Sequence, residues 1–218
     1  MDQLTFKFPF SKKYYKQDFF VSSNNFSAYK LIDTWPNWPG KWLNIFGESG
    51  SGKTHLSKIL EQKIKKNKLI NAKNINDKII TDLTNIDCLI VDNFENNIDE
   101  HLFYSILNQS KQLDNYILIN SVNSIKNLDF GLEDLRSRIN SFIFIGIELP
   151  TDDLLKVIIT KTLSDKQISI SPKSTDFIIN NVERSYEKMF KFLKDVDELS
   201  LSTGKSININ LIKKVLEK

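Results

Sequence analysis

The stretch GESGSGKTHL, residues 47–56, decides the fold. Gly47, Gly52, Lys53 and Thr54 fit the pattern G-x-x-x-x-G-K-[ST]. The apolar run WLNIF (42–46) precedes it, and the helix-patterned THLSKILEQKIKK (54–66) overlaps its end. In that order, strand, turn and helix aim successive backbone N–H groups at phosphate oxygens, backed by the positive end of the helix dipole. Lys53 is suited to neutralise β- and γ-phosphate charge, and the Thr54 hydroxyl is a candidate Mg²⁺ ligand. The expected cofactor is ADP or ATP, with Mg²⁺. Glu48, Ser49, Gly50, Ser51 and His55 complete the loop's cofactor-binding candidates. A chance glycine-rich turn would not carry both flanking elements.

Such a loop works with an acid at the end of a buried strand. CLIVDNFE (88–95) supplies Asp92 after Leu89, Ile90 and Val91, and Asp92 is expected to hold Mg²⁺ through water. Asn93 stands where a second acid would orient the attacking water, and a neutral amide cannot take up a proton. Glu95 is the nearest acid that could compensate, from a less favourable position. Nucleotide binding without fast hydrolysis in cis is the expectation.

Further out, short apolar runs alternate with helical patterns up to about residue 148. The runs are KLINA (68–72), CLIVD (88–92), YILINS (116–121) and FIFIGI (142–147). Continuous apolar runs suit strands covered on both faces. DEHLFYSILNQSKQL (99–113) places Leu102, Phe103, Ile106, Leu107 and Leu113 on one helical face. After Pro150 only helical patterns remain. Thr151 is a candidate N-cap, Ser171 another with Pro172 at the first helical position, and Gly204 a helix end. The fold class is α/β: a P-loop nucleotide-binding core, with a parallel sheet between helices, followed by a small all-helical domain. The expected division is 1–12 as an N-terminal tail, 13–149 as the core and 150–218 as the helical lid.

Bulk composition narrows the classes. The 218 residues are 40% hydrophobic with a net charge of +3, ordinary for a globular domain and weak for a dedicated DNA binder. Cys88 is the single cysteine, which excludes an internal disulfide and suits a cytoplasmic location. No apolar run approaches a membrane span, and the N-terminus lacks a signal-peptide pattern. Trp35, Trp38 and Trp42 suggest a packed elbow before the first strand, with base stacking as the alternative. Neither His55 nor His101 has metal-ligand neighbours, so neither is expected to bind a metal.

DFFV (18–21), WPNWPGKWLNIFGESGSGKTHL (35–56), LIVDNFE (89–95) and LEDLRSRI (132–139) together resemble the DnaA-related AAA+ ATPase family, and more closely its shorter Hda branch. The resemblance spans nearly the whole chain and implies an AAA+ core with a helical lid. DnaA itself carries a helix-turn-helix domain after the lid. This chain ends at Lys218, so the comparison implies no double-stranded DNA-reading domain. It places Asn120 and Ser121, in ILINSVNS (117–124), near the γ-phosphate, with Val122 where relatives often carry Asp. It makes Arg138 an arginine finger acting in trans, catalytic together with Asp92, with Arg136 in a supporting ion pair. The alternative is that both arginines pair with Glu133 and Asp134. In the lid, the nucleotide-touching arginine of relatives aligns with Glu187, leaving Arg184 or Lys188 to replace it.

The opening MDQLTFKFPF resembles a sliding-clamp-binding peptide, with Gln3, Leu4, Phe6 and Phe8 as partner-binding residues. The alternative is an edge strand folded back on the core. The implied function is an Hda-like regulator of replication initiation. It would bind nucleotide, dock on the DNA polymerase III beta sliding clamp and stimulate hydrolysis of ATP held by the DnaA initiator. A homodimer stays open. The other functions weighed are an AAA+ motor or helicase-loader-like remodelling protein with its own ATP turnover, and a DNA-structural role through the AAA+ channel.

Overall fold

The computed structural model describes Tyr14–Glu217, so the tail candidates Gln3, Leu4, Phe6 and Phe8 lie outside the described residues. The described residues divide into two compact units, Tyr14–Glu148 and a second that includes 149–217.

The first unit is built on five parallel strands: β1 (Trp42–Phe46), β2 (Asn67–Asn71), β3 (Cys88–Phe94), β4 (Tyr116–Ser121) and β5 (Ile143–Gly146). Their order across the sheet is β2-β3-β4-β1-β5. Parallel neighbours need crossovers, and helices supply them. These are α2 (Lys53–Lys63), α3 (Lys78–Asp82), α4 (Glu100–Gln112) and α5 (Glu133–Ile139), with α1 (Phe26–Asp33) leading into the sheet. Side chains alternate along each strand, so each strand feeds two cores. Leu43, Ile45, Ile90 and Leu118 pack with Ile32 of α1 and Leu56, Ile59 and Leu60 of α2. Trp42, Leu89, Val91, Ile117 and Ile119 pack with Phe103, Ile106 and Leu107 of α4 and Leu135 and Ile139 of α5. Each fully buried Leu or Ile contributes about 1.5–3 kcal/mol.

Two details depart from the sequence pattern. β2 ends at Asn71, whose side chain accepts from the Lys73 N–H at 3.1 Å and opens a short 3-10 turn at Ala72. It is an edge strand, half-buried throughout. Leu113 lies beyond the last residue of α4 and is 38% exposed, because the helix stops before that face returns to the core.

The trio Trp35, Trp38 and Tyr116 packs edge to face, with Trp38 Nε1 donating to Leu31 O at 2.6 Å. Trp42 belongs to β1 and sits 5.3 Å from the Phe142 ring. The tryptophans are packing residues.

The second unit holds α6 (Asp152–Ser164), α7 (Pro172–Asn181), α8 (Tyr186–Thr203) and α9 (Ile209–Leu216). Their starts are written in the sequence. Thr151, Ser171, Ser185 and Asn208 each accept a backbone N–H of the first turn. Gly204 ends α8 in the left-handed region at φ 63. The core is Leu155, Ile159, Leu163, Ile178, Met189, Leu193, Val196 and Ile212. No helix among the described residues is long and apolar enough to cross a membrane.

Candidate functional site

The carboxyl ends of β1, β3 and β4 lie side by side, the position where open parallel sheets bind ligands. β1 runs straight into the loop. At Gly47 a Cβ would stand 2.8 Å from Ile147 O. At Gly52, φ is 98 and a Cβ would stand 2.9 Å from Phe19 Cε2. The loop therefore closes only with glycine at both places, and α2 starts directly after it. The Lys53 ammonium lies over the loop, donating to Gly47 O at 2.6 Å and Glu48 O at 2.9 Å. Burial pushes its pKa below the ordinary lysine value, opposed by the nearby charges of Asp92 and Glu48. An anion within the loop would offset the desolvation.

β3 delivers Asp92, 6% exposed, beside the first turn of α2. Thr54 Oγ1 donates to Asp92 Oδ2 at 2.8 Å. Asn120 Nδ2, on β4, donates to Asp92 Oδ1 at 2.9 Å and to Ser57 Oγ at 2.7 Å. Thr54, Asp92, Asn120 and Ser57 thus form one connected polar chain across α2, β3 and β4. Asn120 Oδ1 is buried without a partner. Ser57 was not anticipated. Its signal was a small polar residue in the otherwise apolar inward stripe of Leu56, Ile59 and Leu60.

Ser121 departs from its expected place. It follows Asn120 by one residue and so faces the other side of the sheet. There Ser121 Oγ accepts from Asn44 Nδ2 at 2.9 Å, while Asn44 Oδ1 accepts from Ile125 N at 3.0 Å. Val122 is exposed. Asn93 lies at φ 55, where the pairing of β3 with β4 shifts register, and is exposed, as is Glu95. In the loop, Ser49 and Gly50 are exposed and Ser51 is buried.

His55 has a different neighbourhood from the loop. Its Nε2 is 2.8 Å from Tyr15 O, and its ring packs edge to face with Tyr14 and Phe19 at 5.2 and 5.3 Å. Gln62 Nε2 donates to Tyr14 O at 3.1 Å. These contacts lash residues 14–19 onto α2.

Arg138 is half-buried, and its Nε donates to Asn108 Oδ1 of α4 at 2.7 Å. Arg136 is exposed with Glu133 at 3.9 Å, the local pairing weighed as its alternative. In the helical unit, Arg184 Nη2 meets Asp152 Oδ1 at 2.5 Å and Lys188 pairs with Glu183, while Glu187 is exposed. Cavities of about 240 and 200 Å³, lined by residues such as Lys73 and Asp99 or Lys41 and Ser110, include no loop residue. Among the described residues no cluster of three or more His, Cys, Asp or Glu is placed to hold a metal.

Comparison with known proteins fits this geometry. A family model described as "Hda, lid domain" matches residues 152–216, and one described as "RNA helicase" matches 43–130. The replication initiator DnaA of Buchnera aphidicola subsp. Cinara cedri is 25% identical over 235 residues, covering 95% of this chain and 53% of its own. Domain III of Thermotoga maritima DnaA superposes with a TM-score of 0.75 at 19% identity, covering 96% of this chain and 98% of that one. Residues 152–216 thus match the Hda lid family, and the fold is shared with DnaA domain III. AMPPCP-bound DnaA from Aquifex aeolicus shares the fold with a TM-score of 0.68 at 20% identity, over 89% of this chain and 68% of that one. The AAA+ architecture is the five-stranded sheet with a helical lid found here. The chain spans about half the length of the curated DnaA relatives it matches.

Proposed function

We propose that the protein is a nucleotide-holding regulator of replication initiation that supplies Arg138 to ATP held by a DnaA-type initiator. The loop fits a nucleoside di- or triphosphate: glycines are required at 47 and 52, the Lys53 ammonium lies over it, and an orphaned amide oxygen sits behind Asp92. Lys53 and the loop amides would hold the phosphates, Arg184 is the lid's candidate contact, and Thr54 and Asp92 would hold Mg²⁺. The ion supplies charge neutralisation on the phosphates when bound. Asp92 is kept in place for that by Thr54 and Asn120.

The observation that carries the reading is the state of Arg138. Its side-chain partner is a neutral amide, so its positive charge is not cancelled locally. A transferring phosphoryl group needs such a cation from outside, and a finger of this kind contributes roughly 10³–10⁵ in rate. The tail residues Gln3, Leu4, Phe6 and Phe8 are proposed to tether the protein to the sliding clamp.

The test adds the protein, ADP and DNA-loaded clamp to ATP-bound DnaA and follows phosphate release. Release is expected to accelerate, and Arg138→Ala is expected to abolish the acceleration. No acceleration, or equal acceleration by Arg138→Ala, sinks the reading. The intact Thr54–Asp92–Asn120 chain favours one alternative, a motor with its own turnover. That alternative requires sustained hydrolysis by the isolated protein that disappears in Lys53→Ala.

A further inference from the structure

Arg136 and Arg138 stand two residues apart on α5, about 200° around the helix axis. Arg136 turns to solvent beside Glu133. Arg138 turns toward α4, and what it meets there is Asn108. The chemistry of that contact is specific. Arginine carries five N–H donors in a rigid planar fork. Asn108 Oδ1 takes the one on Nε at 2.7 Å. The four on the two Nη nitrogens remain, and two of them can pair side by side with phosphate oxygens.

The acceptor's neutrality matters as much as its place. An aspartate at 108 would make the same hydrogen bond and cancel the charge. An alanine would leave the charge and release the guanidinium to swing through its rotamers. Asn108 itself is firmly held. Its helix is fixed to the core by Phe103, Ile106 and Leu107, and Asp99 caps it by accepting the Leu102 N–H at 3.0 Å. Arg138 also lies in the last turn of α5, where the helix dipole favours a cation.

We propose that Asn108 is the positioning residue for Arg138: it fixes the guanidinium through Nε with an uncharged oxygen and leaves both Nη groups for a phosphate on another molecule. This rests on the reading of Arg138 as a finger acting in trans.

The experiment measures ATP hydrolysis by DnaA as a function of added protein, with ADP and loaded clamp, for wild type, Arg138→Ala, Asn108→Ala and Asn108→Asp. Thermal melts and ADP titrations confirm folding, and the Arg138 Nε–H resonance reports the contact directly. Arg138→Ala is expected to lose roughly 10³-fold or more of the stimulated rate. Asn108→Ala is expected to lower the maximal rate about tenfold, with the half-saturating concentration within about twofold, as for a displaced catalytic group. Its Arg138 Nε–H should exchange faster with solvent. Asn108→Asp is expected to keep the resonance protected and still lose rate, a split that a packing role would not give. Wild-type rates in both Asn108 variants, with Arg138→Ala inactive, overturn the positioning role alone. Full activity in Arg138→Ala overturns the finger and the positioning role together. An Asn108→Asp variant as fast as wild type overturns the requirement for a neutral acceptor.

Discussion

Asp92 and Asp152 are both carboxylates with a close polar partner, and they live under opposite rules. Asp92 is almost fully buried and is held by two neutral donors, Thr54 and Asn120. Asp152 is 54% exposed and is held by one charged donor, Arg184, on an equally exposed side chain. In the first setting a lost donor leaves a polar group cut off from water. In the second, water and salt replace whatever is removed. The core site is therefore fixed by its surroundings, while Arg184 and Lys188 of the helical unit sit in exposed, exchangeable pairs.

The largest effect should come from the buried side of this contrast. Asn120→Ala removes one of the two donors to Asp92 and is expected to cost about 1–3 kcal/mol in urea unfolding at pH 7. Ser57→Ala should cost less, and the two should couple by roughly 0.5–3 kcal/mol in a double-mutant cycle. Strict additivity would show that the chain of contacts is not a unit.

Arg184→Ala should sit at the other extreme, within about 1 kcal/mol of wild type and closer still in high salt. A loss matching Asn120→Ala would erase the comparison.

The last effect depends on pH and concerns Asp33, held by Lys16 and Lys63 at the surface. The hydrogen bonds from those two lysines, with their charges, push its pKa down to about 2. A depressed carboxylate stabilises the fold above its unfolded pKa, near 3.9, and the contribution fades as pH falls toward the folded value. Asp33→Asn should therefore differ from wild type at neutral pH and converge with it in acid melts between about pH 4 and 2. A difference that grows on acidification would contradict the assignment.

Much of the first unit was legible because its signals are local. WLNIF and YILINS mark β1 and β4 to the residue, and the glycine spacing marks the turn between β1 and α2. Thr151 and Ser171 announce α6 and α7 through side-chain chemistry that acts within three residues. The rest depends on contacts between distant residues. Ser57 and Asn120 are 63 apart in sequence, and Asn108 and Arg138 are 30 apart. Only the folded sheet and its helices bring them together. Ser121 was misplaced for a related reason. A motif names two adjacent residues, but a pleated strand sends their side chains to opposite faces. The half-burial of β2 likewise follows from its edge position, which no property of NKLIN reveals.

The lashing of residues 14–19 has a mechanical consequence. His55 and Gln62 hold the backbone of Tyr15 and Tyr14, and Phe19 presses on Gly52. Tension applied to the chain ahead of Tyr14 therefore enters the fold through the helix that carries Lys53 and Thr54. It is resisted there by side-chain hydrogen bonds and edge-to-face ring contacts.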